Sequence, residues 1–153
     1  YYDCHRLQQY AEPEAQECAD LPGDYQHVLL IPVKSESLDF AKRLQEFSDT
    51  QLGCLFIINI NQAQAETQAQ VALHCPLNTA LHRHFLNSGE IIWHSKAKHL
   101  IQWNNGNKVL LLDCFEHGRL IPSEQGVGLA RKIAADIAVQ LCQQGKVKSD
   151  WIF

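Results

Sequence analysis

The chain has no methionine and opens on Tyr1, so it reads as a processed or excised piece. It has no excess of positive charge: 13 Lys and Arg stand against 17 Asp and Glu, a net charge of -4. A general nucleic-acid binder would be basic, so no nucleic acid is expected as a partner. No apolar run approaches the roughly 20 residues that a bilayer-spanning helix needs, so no transmembrane segment is expected. The stretch from Tyr1 to Glu17 is polar and lacks the hydrophobic centre of a signal peptide. A cytoplasmic location follows as the expectation. The six cysteines, Cys4, Cys18, Cys54, Cys75, Cys114 and Cys142, include no C-x-x-C pair, and their wide, irregular spacing does not suit zinc. Cys54 and Cys114 adjoin apolar runs and read as buried, inert thiols rather than as a disulfide framework. Cys4 with Cys18 is the one pairing left open.

What is present is ordinary for a globular domain. The 153 residues are 46% hydrophobic and 20% charged, enough for one domain with a sizeable core. Residues 1–25 read as a polar leader and residues 26–153 as the folded domain. Val28-Leu29-Leu30-Ile31 is a continuous apolar run, as expected for a strand buried on both faces, with Pro32 at its end. Ser35 or Ser37 can cap a helix that places Phe40, Ala41, Leu44 and Phe47 on one face. Cys54 to Ile58 predicts a second buried strand, running into Asn59-Ile60-Asn61. A helical region from about Glu66 to Asn87 contains Pro76, which predicts a kink or two helices. Its later stripe is Leu77, Leu81 and Phe85.

Ile91-Ile92-Trp93 predicts a short strand. His99 to Trp103 and Val109 to Leu112 flank Asn104-Asn105-Gly106-Asn107, a hairpin signal in a loop longer than the ideal. Asp113 closes the third buried strand, and the long loop from Cys114 to Gln125 is of the functional kind. The final helix buries Val127, Ala130, Ala134, Ile137 and Leu141. Trp151-Ile152-Phe153 begins a fourth buried strand. This alternation of strand and helix predicts an α/β fold with a mainly parallel sheet, flanking helices and an added β-hairpin. Ligands of such sheets bind beyond the carboxyl ends of the strands. That rule selects Pro32 to Glu36, Asn59 to Asn61, Asp113 and the Gly126 turn, all along one edge.

Several of these residues allow two readings. Gly126 and Gly128 open a helix whose first turns carry Arg131 and Lys132. They can admit a phosphate to the helix amides, or serve a tight turn and close packing. Glu36 can line a ligand site or favour a helix start. Asn59 and Asn61 can read a base edge or act as turn residues. Asp113 can meet a ligand or cap a loop. Ser123 reads as a helix cap. His82 and His84 do not share a helix face, so they, His74, His94 and His99 read as surface histidines rather than a metal centre. Trp93 and Trp103 read as packing residues.

Ile31-Pro32-Val33-Lys34-Ser35-Glu36 resembles the opening strand and loop of the family 2 glycosyltransferases, commonly I-P-x-x-N-E. Gly126-Val127-Gly128-Leu129-Ala130-Arg131-Lys132 resembles their G-x-x-x-A-R-N segment. Asp150-Trp151-Ile152-Phe153 resembles the strand that leads into their metal-binding Asp-x-Asp. The resemblance covers about Gln26 to Phe153. It implies a Rossmann-like, partial GT-A fold and transfer of a sugar from a nucleotide-sugar donor, with a divalent metal, Mn or Mg, in the full-length protein. It places Pro32, Ser35 and Glu36 beside the nucleoside, Asn61 near the base, and Arg131 near the base or diphosphate, with Gly126, Gly128 and Lys132 completing the donor site. Ser35 and Lys132 each replace the usual Asn, and the second makes the pocket more cationic. The resemblance puts the Asp-x-Asp just past Phe153 and the catalytic carboxylate later still. No catalytic residue and no metal ligand is therefore expected within the chain, and no sugar transfer by it alone. The acceptor, the sugar and the base are not specified. A non-catalytic nucleotide-binding or interaction domain of the same fold is the alternative. An unpaired sheet edge is compatible with a homo-oligomer.

Overall fold

Three apolar runs build the centre of one sheet. In the computed structural model, which describes residues 11–64, 67–116, 118–149 and 152–153, they are β1 (His27–Val33), β2 (Cys54–Asn61) and β5 (Lys108–Cys114). The remaining elements among the described residues are α1 (Pro13–Glu17), α2 (Leu38–Ser48), α3 (Gln68–Leu86), β3 (Glu90–Ser95), β4 (Lys98–Gln102) and α4 (Gly126–Gln143). The sheet order is β1-β2-β5-β4-β3. β1, β2 and β5 are mutually parallel, while β4 runs antiparallel to both β5 and β3. The protein is thus an α/β fold with a parallel centre and an antiparallel hairpin added on one side.

Alternation along the strands divides the core in two. Leu55, Ile57, Leu110 and Leu112 face α4, where Ala130, Ile133, Ala134, Ile137, Ala138 and Leu141 cover them. Phe56, Ile58, Ile60, Val109 and Leu111 face the opposite way, onto Ala41 and Leu44 of α2 and Leu81 and Phe85 of α3. Every residue of β2 is buried, as a central strand covered on both faces requires. The described part of the leader joins the first core: Ala15, Cys18, Leu21 and Tyr25 are buried there. Residues 1–10, including Cys4, lie outside the described residues; Cys18 carries a free, buried thiol.

Several expectations need correcting. β1 does not stop before Pro32; it continues to Val33 and is only half-buried over Leu29 to Pro32. Leu30 donates its N–H to the Phe153 carbonyl. Pro32, two residues on, points to the same side, away from β2. Its missing donor therefore costs no bond to the neighbouring strand. Ile152 and Phe153 do run parallel beside β1, but at 36% and 64% exposed they are not buried. They lie on the outer side of β1; Asp150 and Trp151 lie outside the described residues.

α3 is one helix across Pro76. Ala72 and Pro76 are both exposed, so the carbonyl that loses its N–H partner lies on the watered face. Thr67 and Gln70 form a reciprocal capping box at its start. The buried stripe of α3 is Asn78, Leu81 and Phe85, whereas Leu77 is 37% exposed. In α2, Phe47 is turned outward and Ser48 inward. Val127, expected to be buried, is 51% exposed. Gln125, not Ser123, holds the position before that helix.

Candidate functional site at the carboxyl edge of the sheet

The register brings the strand ends level: Pro32 pairs with Asn59 and Asn59 with Leu112, while Asn61 pairs with Cys114. The Asn61 amide donates to the Val33 carbonyl at 2.9 Å and to the Asn59 carbonyl at 3.2 Å. The Asn59 amide donates to the Ala130 carbonyl at 3.1 Å, tying β2 to α4. Both asparagines are buried, so they brace strand ends rather than project outward. Val33, Asn59 and Asn61 are thereby joined at the strand ends, and Asn59 ties them to the second turn of α4 at Ala130.

Ser35 sits at φ +57°, in the left-handed region, which costs an L-residue about 1–2 kcal/mol. Its N–H donates to Asn78 Oδ1 at 2.8 Å. Ser35 Oγ, Asn59 Oδ1 and Gln62 Oε1 are buried without a hydrogen-bond partner, which is uncommon in folded proteins. Pro32 is half-buried within β1, and Glu36 is exposed at the loop tip.

At the start of α4, Gly126 has φ +47°, the conformation that favours glycine. A Cβ added at Gly126 or Gly128 would meet nothing within 4 Å. Close packing therefore explains neither glycine, and the backbone there is open. Arg131 is exposed on the same helix. Lys132 is paired with Glu12 at 2.9 Å and Asp136 at 2.7 Å, so its charge is shared with two carboxylates.

Asp113 is a loop cap. Its Oδ1 accepts the N–H groups of Phe115 and Glu116, each at 3.1 Å, and its Oδ2 pairs with Arg119. A cavity of about 350 Å³ lies on one side of this pair, with Lys98, Cys114, Leu129 and Ile133 in its wall. Lys96 and Lys98 both bond Glu17, and these bonds hold its carboxyl below the usual range. Burial pushes the Cys114 thiol up to about 12, and that of Cys18 likewise to about 12. A raised thiol pKa disfavours the reactive thiolate; the inert thiol is the expectation for Cys114, whereas for Cys18 the sequence leaves a pairing with Cys4 open.

The histidines are not all on the surface. His94 and His99 face each other across β3 and β4, with ring centroids 6.4 Å apart. His82 from α3 packs on His99 at 6.2 Å and on Phe115 at 5.6 Å. Tertiary folding makes this seam, which no local spacing announces. Burial lowers the pKa of both His82 and His99 below the ordinary 6.5. The unfolded chain then binds more protons than the folded one as the pH falls through 6.5. The stability contributed by the neutral imidazoles is complete above that pH and declines below it. The urea midpoint is expected to be lower at about pH 5.5 than at about pH 7.5, and His82→Phe to shrink the difference; equal midpoints for the native chain would contradict this.

Among the described residues, no group of three or more His, Cys, Asp or Glu is placed to hold a metal ion. No helix among them is long and apolar enough to cross a membrane. The chain matches no protein-family model, no curated protein and no solved structure.

Sequence reasoning missed Asn78. The signal was available: it is the one polar member of the stripe Asn78, Leu81 and Phe85 that α3 buries, and a buried amide must bond something.

Proposed function

We propose that the chain is the donor-binding portion of a glycosyltransferase similar to family 2, taking a nucleotide-sugar at the carboxyl edge of a Rossmann-like, GT-A-type sheet. The supporting observation is the reversal of strand order at β1. The chain steps from β1 outward to β2, and β5 lies beyond it. It then returns through α4 and lays Ile152 and Phe153 on the other side of β1, bonded to Val28 and Leu30. Open α/β sheets bind ligands beyond the strand ends at such a reversal.

On this reading the Ser35 loop walls the nucleoside, with Pro32 and Glu36 at its flanks. The Gly126 N–H is bonded to the Pro122 carbonyl, so the amides of Val127 and Gly128 in the first turn of α4 receive the diphosphate, helped by the helix dipole. Gly126 and Gly128 let the phosphates approach the backbone, and Arg131 supplies charge. Lys132 is ion-paired with Glu12 and Asp136, so the added cationic charge expected from it is not available to the diphosphate and Arg131 carries that role. Asn61 holds the ends of β1 and β2 in register beneath the base.

Titration with UDP and GDP, followed by amide chemical shifts, tests the reading. Shifts are expected at Gly126 to Lys132 and at Ser35 and Glu36. Arg131→Ala should weaken binding about tenfold, the scale of one charge-assisted hydrogen bond. Gly128→Ala should stabilise the fold by about 0.5–1 kcal/mol, since alanine is the better helix former, yet weaken nucleotide binding. Unmoved signals from Gly126 to Lys132 at saturating nucleotide would refute the proposal.

A further inference from the structure

We infer that Asn78, a buried residue of α3, is a positioning residue that sets the Ser35 loop in its left-handed conformation and so shapes the site at the end of β1. The ligand half of this inference rests on the nucleotide-site reading; the loop half does not. Ser35 and Lys96 are the two non-glycine residues with positive φ among those described. A serine holds such a backbone only where its surroundings over-determine it.

Those surroundings form a closed circuit. The Ser35 N–H donates to Asn78 Oδ1 at 2.8 Å. The Asn78 amide donates to the Asn61 carbonyl at 3.5 Å, and the Asn61 amide donates to the Val33 carbonyl at 2.9 Å. The path leaves the end of β1, crosses α3 and β2, and returns to β1 two residues before Ser35. Asn78 is fully buried, so water does not compete for its amide. It lies one turn before Leu81, which packs in the core under β2, and α3 is thereby anchored. The conformation of the loop is thus governed by a side chain distant in sequence.

Asn78→Ala removes the acceptor of the Ser35 N–H and lets the loop relax to an ordinary φ. Glycine adopts positive φ without help, so Ser35→Gly should make the loop indifferent to Asn78. A double-mutant cycle isolates this coupling. With UDP and GDP as probes, Asn78→Ala is expected to weaken binding about tenfold in the native background. In the Ser35→Gly background it should weaken binding less than about twofold. Equal losses in both backgrounds, or no loss in either, would overturn the inference.

Amide hydrogen exchange decides the loop half whether or not nucleotide binds. The Ser35 amide should exchange at least about tenfold faster in Asn78→Ala, while Ile57 and Ile58 of β2 stay protected as a control on folding. Unchanged exchange at Ser35 would overturn the inference by itself. Failure of the native chain to bind either nucleotide, with Ser35 exchange accelerated, would refute the nucleotide reading and leave the brace standing.

Discussion

Asn107→Ala is expected to lower the stability of the chain by roughly 3 kcal/mol or more, because it strands several buried backbone groups at once. Asn107 is fully buried between β4 and β5. Its Oδ1 accepts the Cys54 N–H at 2.9 Å, and its amide donates to the carbonyls of Ser48 at 2.7 Å and Gln51 at 3.1 Å. One side chain thereby joins the hairpin turn to the end of α2 and the start of β2. Alanine satisfies none of the three partners. A urea titration measures the loss, and a midpoint within error of the native chain would show that water or a shifted backbone replaces these bonds. The brace sits at the amino-terminal edge of the sheet, so nucleotide shifts at Gly126 should be unchanged while the variant remains folded.

Gly89→Ala is expected to cost about 2–3 kcal/mol through overpacking. A Cβ at Gly89 would lie 2.2 Å from the Gln102 carbonyl oxygen and 3.1 Å from Ile101 Cγ2. The oxygen belongs to the backbone of β4, so rotating a side chain cannot relieve the clash. Either the turn between α3 and β3 must move, or the antiparallel hairpin must part from it. Thermal unfolding beside Gly128→Ala makes the contrast sharp: one glycine is required by a neighbour and the other by none. An unaltered melting temperature for Gly89→Ala would mean that the turn shifts freely.

These two positions show where sequence reading stops. Asn107 read as part of an Asn-Gly hairpin signal, and the hairpin is there, with β4 antiparallel to β5. Its bonds to Ser48, Gln51 and Cys54 join residues more than 50 positions away, and local spacing carries no trace of such partners. Asp113 had two open roles, and the Phe115 and Glu116 amides that it accepts decide for loop capping. Lys132 looked like half of a cationic pair until folding set Glu12 and Asp136 against it. His82 and His99 looked like surface residues until α3 was laid across β4.

The three apolar strands at the centre of the sheet and the alternation of strand and helix between residues 27 and 143 were legible in the sequence alone, whereas the short helix α1 in the leader was not. Apolar runs of strand length and apolar stripes of helical spacing are local consequences of burying one face or two. Gly126 reads as part of a turn that opens a helix, and it adopts a positive φ where α4 begins, a conformation that glycine takes without strain. Only the tertiary structure decided that Ile152 and Phe153 lie beside β1, that Pro32 stays inside its strand, that Asn78 holds Ser35, and that His82 packs edge-on against His99, which stacks on His94. Each depends on which distant groups come within hydrogen-bond or van der Waals reach. Those contacts are set by the packing of the whole sheet against its helices, not by the residues on either side.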